Sequence, residues 1–304
     1  MKHIFILNPV AGHQDAESKF LPRILEAVKA EDVDYEIHRT MNIGDGENYV
    51  RNRCIAFPDE KLRFYAVGGD GTLNEVANGV FGFPNAEIAF IPAGTGNDFA
   101  RNFAHPKAFL DIKSQIRGRS KKIDLIQYGD RIIVNMLNIG LDCEVVTKME
   151  AIKEKTFLRG PLAYITGVAV VFAGNEGYNL KVTLEDRRVF DREFTLVAVG
   201  NGAFCGGGFK GVPKAKVDDG LLDVSLINKV NRRTFASFIS KYYKGTHLDT
   251  LVARDIVTYV QCRSLTVEPK GTMKICVDGE VFTSGKLNIS VLPASMDFSI
   301  PDIL

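Results

Sequence analysis

Apolar positions in the first 120 residues fall into two alternating patterns. Ile4–Leu7 is an unbroken apolar run, as expected of a strand covered on both faces. Beyond the turn Asn8–Gly12, residues Phe20, Leu21, Ile24, Leu25 and Val28 recur at helical spacing. The same alternation predicts strands at Val33–Arg39, Arg63–Val67 and Ile88–Ile91. Helices are predicted over Gly46–Cys54, after Gly71 (Leu73, Val76, Ala77, Val80) and over Asn97–Phe103. Strands separated by helices argue for an α/β domain with a parallel sheet and helices on its faces.

Past residue 120 the texture changes. Strands are predicted at Ile123–Gln127, Arg131–Ile139, Leu180–Glu185, Glu193–Gly200, Leu222–Ile227, Ser264–Glu268, Met273–Val277 and Leu287–Leu292. Short turns such as Tyr128-Gly129-Asp130 and Asp278-Gly279-Glu280 separate them, which suggests a largely antiparallel sandwich or barrel. Helical patterning is confined mainly to Val145–Ala173 and Arg232–Lys244. We therefore expect a boundary near residue 122, with the basic segment Arg117–Lys122 as a solvated junction or, less simply, a nucleic-acid patch.

Composition narrows the class. The 304 residues are twice the roughly 150-residue domain prior, and 45% hydrophobic with 25% charged residues excludes a disordered or fibrous chain. Lys+Arg of 38 against Asp+Glu of 37 leaves a net charge of +1, so no global pull toward nucleic acid follows. Five scattered cysteines without a C-x-x-C pair, and five scattered histidines, favour neither a disulfide framework nor a zinc site. The opening Met1-Lys2-His3 runs straight into a short strand, unlike a signal peptide. The longest apolar stretch, Pro161–Gly174, falls short of the roughly 20 residues a spanning helix needs. The expectation is a cytoplasmic protein whose membrane contact is at most peripheral.

Candidate chemistry concentrates in glycine turns. Gly68-Gly69-Asp70-Gly71-Thr72-Leu73-Asn74 lies between a buried strand and a helix, where close-approaching backbone and free helix amides suit an anion. Asp70 would repel phosphate unless Mg²⁺ bridges the two, or it simply caps a helix. Pro92-Ala93-Gly94-Thr95-Gly96-Asn97-Asp98 repeats the arrangement after the next strand. Two such loops at neighbouring strand ends can grip a polyphosphate. Neither is a Walker loop, and a Rossmann fingerprint after the first strand is missing. Further on, the segment Lys214–Asp223 combines Asp218, Asp219 and Asp223 with Gly220, which suits a hard cation or a plain Asp-capped turn. Val277-Asp278-Gly279-Glu280 reads as a hairpin turn presenting Glu280, either as a base or as an ordinary exposed acid.

In their order, these five blocks resemble the diacylglycerol kinase catalytic family, specifically the short bacterial lipid kinases related to sphingosine and ceramide kinases. Pro92–Arg101 (PAGTGNDFAR) is the most specific block; Gly-Gly-Asp-Gly is shared with NAD kinases and phosphofructokinases. The resemblance implies a Rossmann-like nucleotide-binding domain (residues 1–122 plus a tail from about 292 to 304) and a C-terminal β-sandwich for the lipid (123–291), with the active site between them. It implies ATP contacts at Asn8, Gly12, Thr40, Gly68, Gly69, Asp70, Gly71, Thr72, Leu73, Asn74, Gly94 and Thr95. It implies a structural Mg²⁺ site from Asp219 and the carbonyls of Lys216 and Leu221, with Asp223 supporting, and makes Glu280 the proton acceptor and Asp70 a catalytic, Mg²⁺–ATP-engaging residue. A lipid alcohol such as diacylglycerol would be the acceptor, nucleic acid would not be a partner, and the protein would sit at the inner membrane surface. Members of this family are often dimers.

The stretch Phe157–Ala173 is apolar nearly all round and could line a lipid cleft, rest on a bilayer or be a buried helix. Lys148, Lys153, Lys155 and Arg159 before it could meet anionic headgroups or form a wet helix face. Two alternatives to a lipid kinase remain: an NAD-kinase-like enzyme using the shared first loop, and a nucleotide-binding regulatory protein with little catalysis.

Overall fold

The computed structural model describes residues 1–12, 15–153 and 177–303, so the apolar stretch Phe157–Ala173 and the basic residues Lys155 and Arg159 lie outside the described residues. The chain divides into two compact units. Unit 1 comprises Met1–Leu125, Arg131–Val134 and Pro293–Leu304; unit 2 comprises Ile126–Asp130 and Asn135–Leu292.

Unit 1 is built on a parallel sheet. Its strands β1 (Lys2–Leu7), β2 (Tyr35–Arg39), β3 (Leu62–Gly68) and β4 (Ala86–Pro92) lie in the order β2-β1-β3-β4. The register pairs Leu7 with both Arg39 and Val67, and Gly68 with Pro92, so the carboxyl ends of all four strands share one rim. Every residue of β3 is buried, which explains its apolar run from Phe64 to Gly68; its charged residue, Arg63, is buried against Glu87 and the carbonyls of Gln115, Ile116 and Gly118. Alternate residues face alternate layers. Phe5, Leu7, Tyr65, Val67, Ala89 and Ile91 pack beneath α1 (Ala16–Ala30) through Phe20, Ile24 and Val28. On the other layer α2 (Asp45–Ala56) meets α3 (Asp70–Val80) at Gly79, where a Cβ would stand 2.8 Å from Val50 and the Glu47 carbonyl.

Asp15 starts α1 by accepting from the amides of Glu17 and Ser18. Two later segments complete the unit. Asn78 exchanges two hydrogen bonds with the backbone of Ile132, and Phe298 pairs in parallel with Ile88.

Unit 2 is antiparallel throughout. β5 (Arg119–Tyr128) and β6 (Arg131–Ile133) lie mostly in unit 1; after them come β7 (Met136–Gly140), β8 (Tyr178–Leu184), β9 (Val189–Gly200), β10 (Leu222–Asn228), β11 (Val257–Cys262), β12 (Ser264–Pro269), β13 (Met273–Val277), β14 (Glu280–Ser284) and β15 (Leu287–Ile300), whose end from Pro293 belongs to unit 1. The lower half of β9 pairs with β8, and its upper half lies between β7 and β10. This branching lets one strand serve two sheets of a sandwich. The helices α4 (Ile112–Ile116, in unit 1), α5 (Leu141–Lys153), α6 (Arg232–Lys244) and α7 (Leu251–Ile256) complete the set of described α-helices. Among the described residues no helix is long and apolar enough to cross a membrane.

Three predicted elements differ from the sequence reading, and β11, β14, α4 and α7 lie where none was predicted. The strand expected over Arg131–Ile139 breaks into β6 and β7 at Asn135, whose carbonyl accepts from Asn201 and Gly202 instead of continuing a ladder. The helix expected over Asn97–Phe103 shrinks to a 3-10 turn, Phe99–Asn102, because Asn97 takes a left-handed φ of +52°. α5 starts at Leu141, four residues before its predicted start.

Candidate active site

The unit 1 half is built where β1, β2, β3 and β4 end. Asn8 follows β1; its side chain donates to Thr72 Oγ1 at 3.3 Å and accepts from the Val10 amide at 3.2 Å, so it ties the first loop to the Gly68–Asn74 loop. Gly12 has a φ of +73°, and a Cβ there would stand 2.7 Å from the Ala93 carbonyl oxygen. Thr40 directly follows β2, its amide bonded to the Leu7 carbonyl at 2.9 Å.

The two glycine loops touch. A Cβ on Gly94 would come within 2.4 Å of the Gly69 Cα, and one on Gly68 would overlap Thr72. Ala93 and Gly94 both donate their amides to the Gly68 carbonyl, at 2.8 and 3.0 Å. No side chain caps the N-terminus of α3, where Gly69 is the cap residue. Uncapped amides at the start of an eleven-residue helix, backed by its dipole, are donors suited to an anion.

Asp70 serves the neighbouring loop. Its two carboxylate oxygens accept from the amides of Asp98 and Phe99, each at 3.1 Å. Burial pushes its carboxyl upward, and these amides together with Arg101 oppose that. The residue is therefore a cap, but of the second glycine loop, which it holds against the first. Asn97 clamps the same loop by exchanging hydrogen bonds with Gly94 at 3.0 and 2.8 Å. Arg101 adds a bond to the Gly96 carbonyl and an ion pair with Asp98.

Of the remaining expected residues, Thr95 is exposed on the second loop and Gly71 and Asn74 are half-buried on the first turn of α3. Leu73 points into the core, and its amide is bonded to the Gly69 carbonyl. Glu75 is a residue the motif reading passed over. It accepts from the Gly44 amide at 3.0 Å, at the start of α2 and beside Thr40.

In unit 2, Asp223 is fully buried at the start of β10. It accepts from the Tyr259 hydroxyl at 2.7 Å and from Gln261 Nε2 at 3.2 Å. The Tyr259 oxygen in turn accepts from the Lys214 amide at 3.2 Å, so the segment carrying Lys216, Asp219 and Leu221 is anchored at its base. Burial pushes the Asp223 carboxyl up, against the two hydrogen bonds. Asp219 is exposed and accepts from the Leu221 amide at 3.1 Å, the local turn its sequence allowed. Its carboxylate and the carbonyls of Lys216 and Leu221 are hard oxygen donors, of the kind Mg²⁺ takes. Among the described residues no group of three or more His, Cys, Asp or Glu side chains surrounds a metal position.

Glu280 is half-buried as the first residue of β14, opposite Val277. The turn before it is a two-residue hairpin in which Asp278 and Gly279 both have positive φ, +45° and +95°. Asp278 fixes that turn by accepting from the Met136 amide at 2.9 Å and the Asn135 amide at 3.4 Å. Asn135 donates to the Phe204 carbonyl at 2.9 Å, joining the turn to the Gly206–Gly208 loop. An apolar pocket lies nearby in the chain, between α5, β9 and α6. It is partly open and is lined by Leu141, Val145, Leu196, Phe235, Phe238 and Tyr242 among others.

Comparison with known proteins gives this geometry a family. The profile of the diacylglycerol kinase catalytic domain matches residues 2–128. That of the YegS C-terminal NAD kinase beta sandwich-like domain matches residues 135–299. A diacylglycerol kinase of Staphylococcus carnosus (strain TM300) is 30% identical over 279 residues, covering 90% of this chain and 87% of its own. The chain belongs to the diacylglycerol kinase family. A Staphylococcus epidermidis diacylglycerol kinase is 29% identical, covering 94% of this chain and 87% of its own. A crystal structure of a diacylglycerol kinase from Bacillus anthracis str. Sterne shares the fold with a TM-score of 0.70 at 23% identity, covering 100% of this chain and 98% of its own. A second solved chain of that organism, at 25% identity, reaches 0.75 over 99% of this chain and 98% of its own. Membership makes the protein a lipid kinase, a phosphotransferase for which the family implies ATP as donor. The parallel α/β unit and the sandwich-like unit expected from the sequence are those of the family.

Proposed function

We propose that the protein transfers the γ-phosphoryl group of Mg²⁺–ATP to the hydroxyl of diacylglycerol or a closely related lipid alcohol. The observation that carries this reading is the interlocked pair of glycine loops against the uncapped start of α3. Such a rim offers backbone donors to a polyphosphate from two sides without a Walker lysine. The Asn8–Gly12 loop packs on both glycine loops, and Thr40 stands next to it at the end of β2.

In the reaction the lipid oxygen forms a bond to the γ-phosphorus and the bond from that phosphorus to the β–γ bridging oxygen breaks. Glu280 accepts the hydroxyl proton, and ADP leaves. The Asp278 hairpin and Asn135 hold the Glu280 backbone, which favours a fixed approach to the acceptor. Asp70 keeps the two phosphate loops in register. When bound, Mg²⁺ supplies charge neutralisation of the phosphates. A structural Mg²⁺ at Asp219 would be held by that carboxylate and the carbonyls of Lys216 and Leu221. The apolar pocket of unit 2 suits an acyl chain, since it is lined by Leu, Val and Phe side chains.

The test is phosphorylation from labelled ATP in mixed micelles with Mg²⁺, using diacylglycerol, monoacylglycerol, phosphatidylglycerol, undecaprenol, ceramide, sphingosine and NAD as acceptors. Diacylglycerol or another lipid alcohol is expected to label, and Glu280→Gln to lower kcat by about two orders of magnitude with the melting temperature unchanged. Labelling of NAD alone, or Mg²⁺–ATP binding without any turnover, would replace this reading.

A further inference from the structure

The apolar pocket of unit 2 has a single carboxylate in its wall. Leu141, Val145, Leu196, Phe235 and Phe238 are buried around it, and Asp142, half-buried, stands among them. An acid in the first turn of a helix is ordinary, because the dipole favours it there. Glu144 shares that turn of α5, and the Tyr178 hydroxyl donates to it. The setting of Asp142 is different. Asn138, buried on β7, donates from Nδ2 to the Asp142 Oδ2 at 2.7 Å. Asn138 Oδ1 is itself buried with no hydrogen-bond partner among the described residues, so the fold gives up stability to hold this amide where it meets Asp142.

The position of the carboxylate links the pocket to the expected base. α5 packs on β13 and β14, the hairpin that presents Glu280, and Asn138 lies opposite Cys276 of β13. Burial raises both the Cys276 thiol on that hairpin and the Tyr242 hydroxyl in the pocket wall, and the negative charge of Asp142 adds to each. Asp142 is thus held where the apolar pocket meets the strand pair carrying Glu280.

We infer that Asp142 reads the head of the acceptor lipid by accepting a hydrogen bond from a second hydroxyl, beside the one that is phosphorylated, while the acyl chain fills the pocket. A carboxylate offers about four acceptor positions, so the Asn138 bond leaves room for another. A hydrogen bond to a charged group in an apolar wall is stronger than a neutral one, and a lipid without the second donor leaves the carboxylate stripped of water and uncompensated. Monoacylglycerol and phosphatidylglycerol carry a second hydroxyl; diacylglycerol has only the one that reacts. The inference deepens the lipid-kinase reading by naming the acceptor class and rests on it for the phosphoryl step, but its test does not need turnover.

Calorimetric titration without nucleotide compares a short-chain 1-monoacylglycerol with its 2-O-methyl ether, in which only the second donor is lost. The wild-type chain should bind the free alcohol about tenfold to a hundredfold more tightly. Asp142→Ala should bring that ratio below about threefold, and Asp142→Asn, which keeps an acceptor for Asn138 but no charge, should leave an intermediate ratio. The ratio compares two ligands on one protein sample, so a loss of folded protein does not alter it. With labelled ATP and Mg²⁺, the same two lipids should keep the same order in kcat/KM. A wild-type ratio near one, an undiminished ratio in Asp142→Ala, or no binding of either lipid would overturn the inference. If the lipid-kinase reading alone is wrong, the binding ratios stand while neither lipid is labelled.

Discussion

Gly94 is the place where the nucleotide-loop argument is most exposed to failure. Its φ is not left-handed, so alanine meets no backbone penalty there, and the only obstacle is space. That space is absent. The new methyl would lie 2.4 Å from the Gly69 Cα and 3.0 Å from both the Gly69 nitrogen and Asn97 Oδ1. Ordinary contact begins at 3.4 Å, which leaves a shortfall of about 1 Å against backbone that cannot swing aside. The loops must part by about that distance, loosening the Asp70 bonds to Asp98 and Phe99 that hold them together.

Forced overpacking of this kind costs about 1–3 kcal/mol, or a fall in Tm of roughly 2–12 °C. If both loops hold one polyphosphate, a displacement of about 1 Å also lowers kcat/KM for ATP by about a hundredfold. Gly285→Ala is the matched control, because nothing lies within 4 Å of its Cβ position and its φ is ordinary. Calorimetric titration with a non-hydrolysable ATP analogue and steady-state kinetics would read both effects. A Gly94→Ala protein that melts like wild type and keeps its ATP constants within threefold would show that the loops do not act as one phosphate grip.

Two other outcomes follow from buried groups. Tyr259→Phe removes the hydroxyl that joins Asp223 to the Lys214 amide, leaving both short of a partner; a loss of about 1–3 kcal/mol in urea unfolding is expected. The same variant should need severalfold more Mg²⁺ for half-maximal turnover, and an unchanged urea midpoint would remove Asp223 as the anchor of that loop. His3 and His247 are both buried, and burial holds each imidazole at about 4 rather than 6.5. Between those values the unfolded chain binds more protons than the folded one, so stability falls as pH drops from about 6.5 toward 4. Each histidine accounts for up to about 3 kcal/mol of that loss. Urea midpoints measured from pH 7 to 5 should fall, and His247→Phe should flatten the slope; an unaltered slope would mean His247 is protonated in the folded state.

The parts of this molecule that sequence could announce are those whose physics is local. β1 is buried from His3 to Leu7 and shows it in the apolar run Ile4–Leu7; the Asp278-Gly279 hairpin needs two positive φ values and states them in its two residues. What stayed hidden depends on partners far along the chain. Asp70 reads as a Mg²⁺-engaging residue or as the cap of its own helix, and its oxygens accept from Asp98 and Phe99, 28 and 29 residues on. Asn135 looks like one polar position inside a strand, and only the arrival of Asn201, Gly202 and Phe204 makes it the break between β6 and β7. Glu75 directly follows the Gly68–Asn74 motif but takes its meaning from the Gly44 amide, 31 residues before it. Leu73 carries the opposite lesson: it belongs to the motif through its backbone, while its side chain answers to the core. A motif therefore fixes where the chain turns and which amides point outward, but not which neighbour each side chain will serve. For that reason the glycine contacts, whose space is set by backbone alone, are the firmest ground for the nucleotide site, and the acidic residues need the mutational tests.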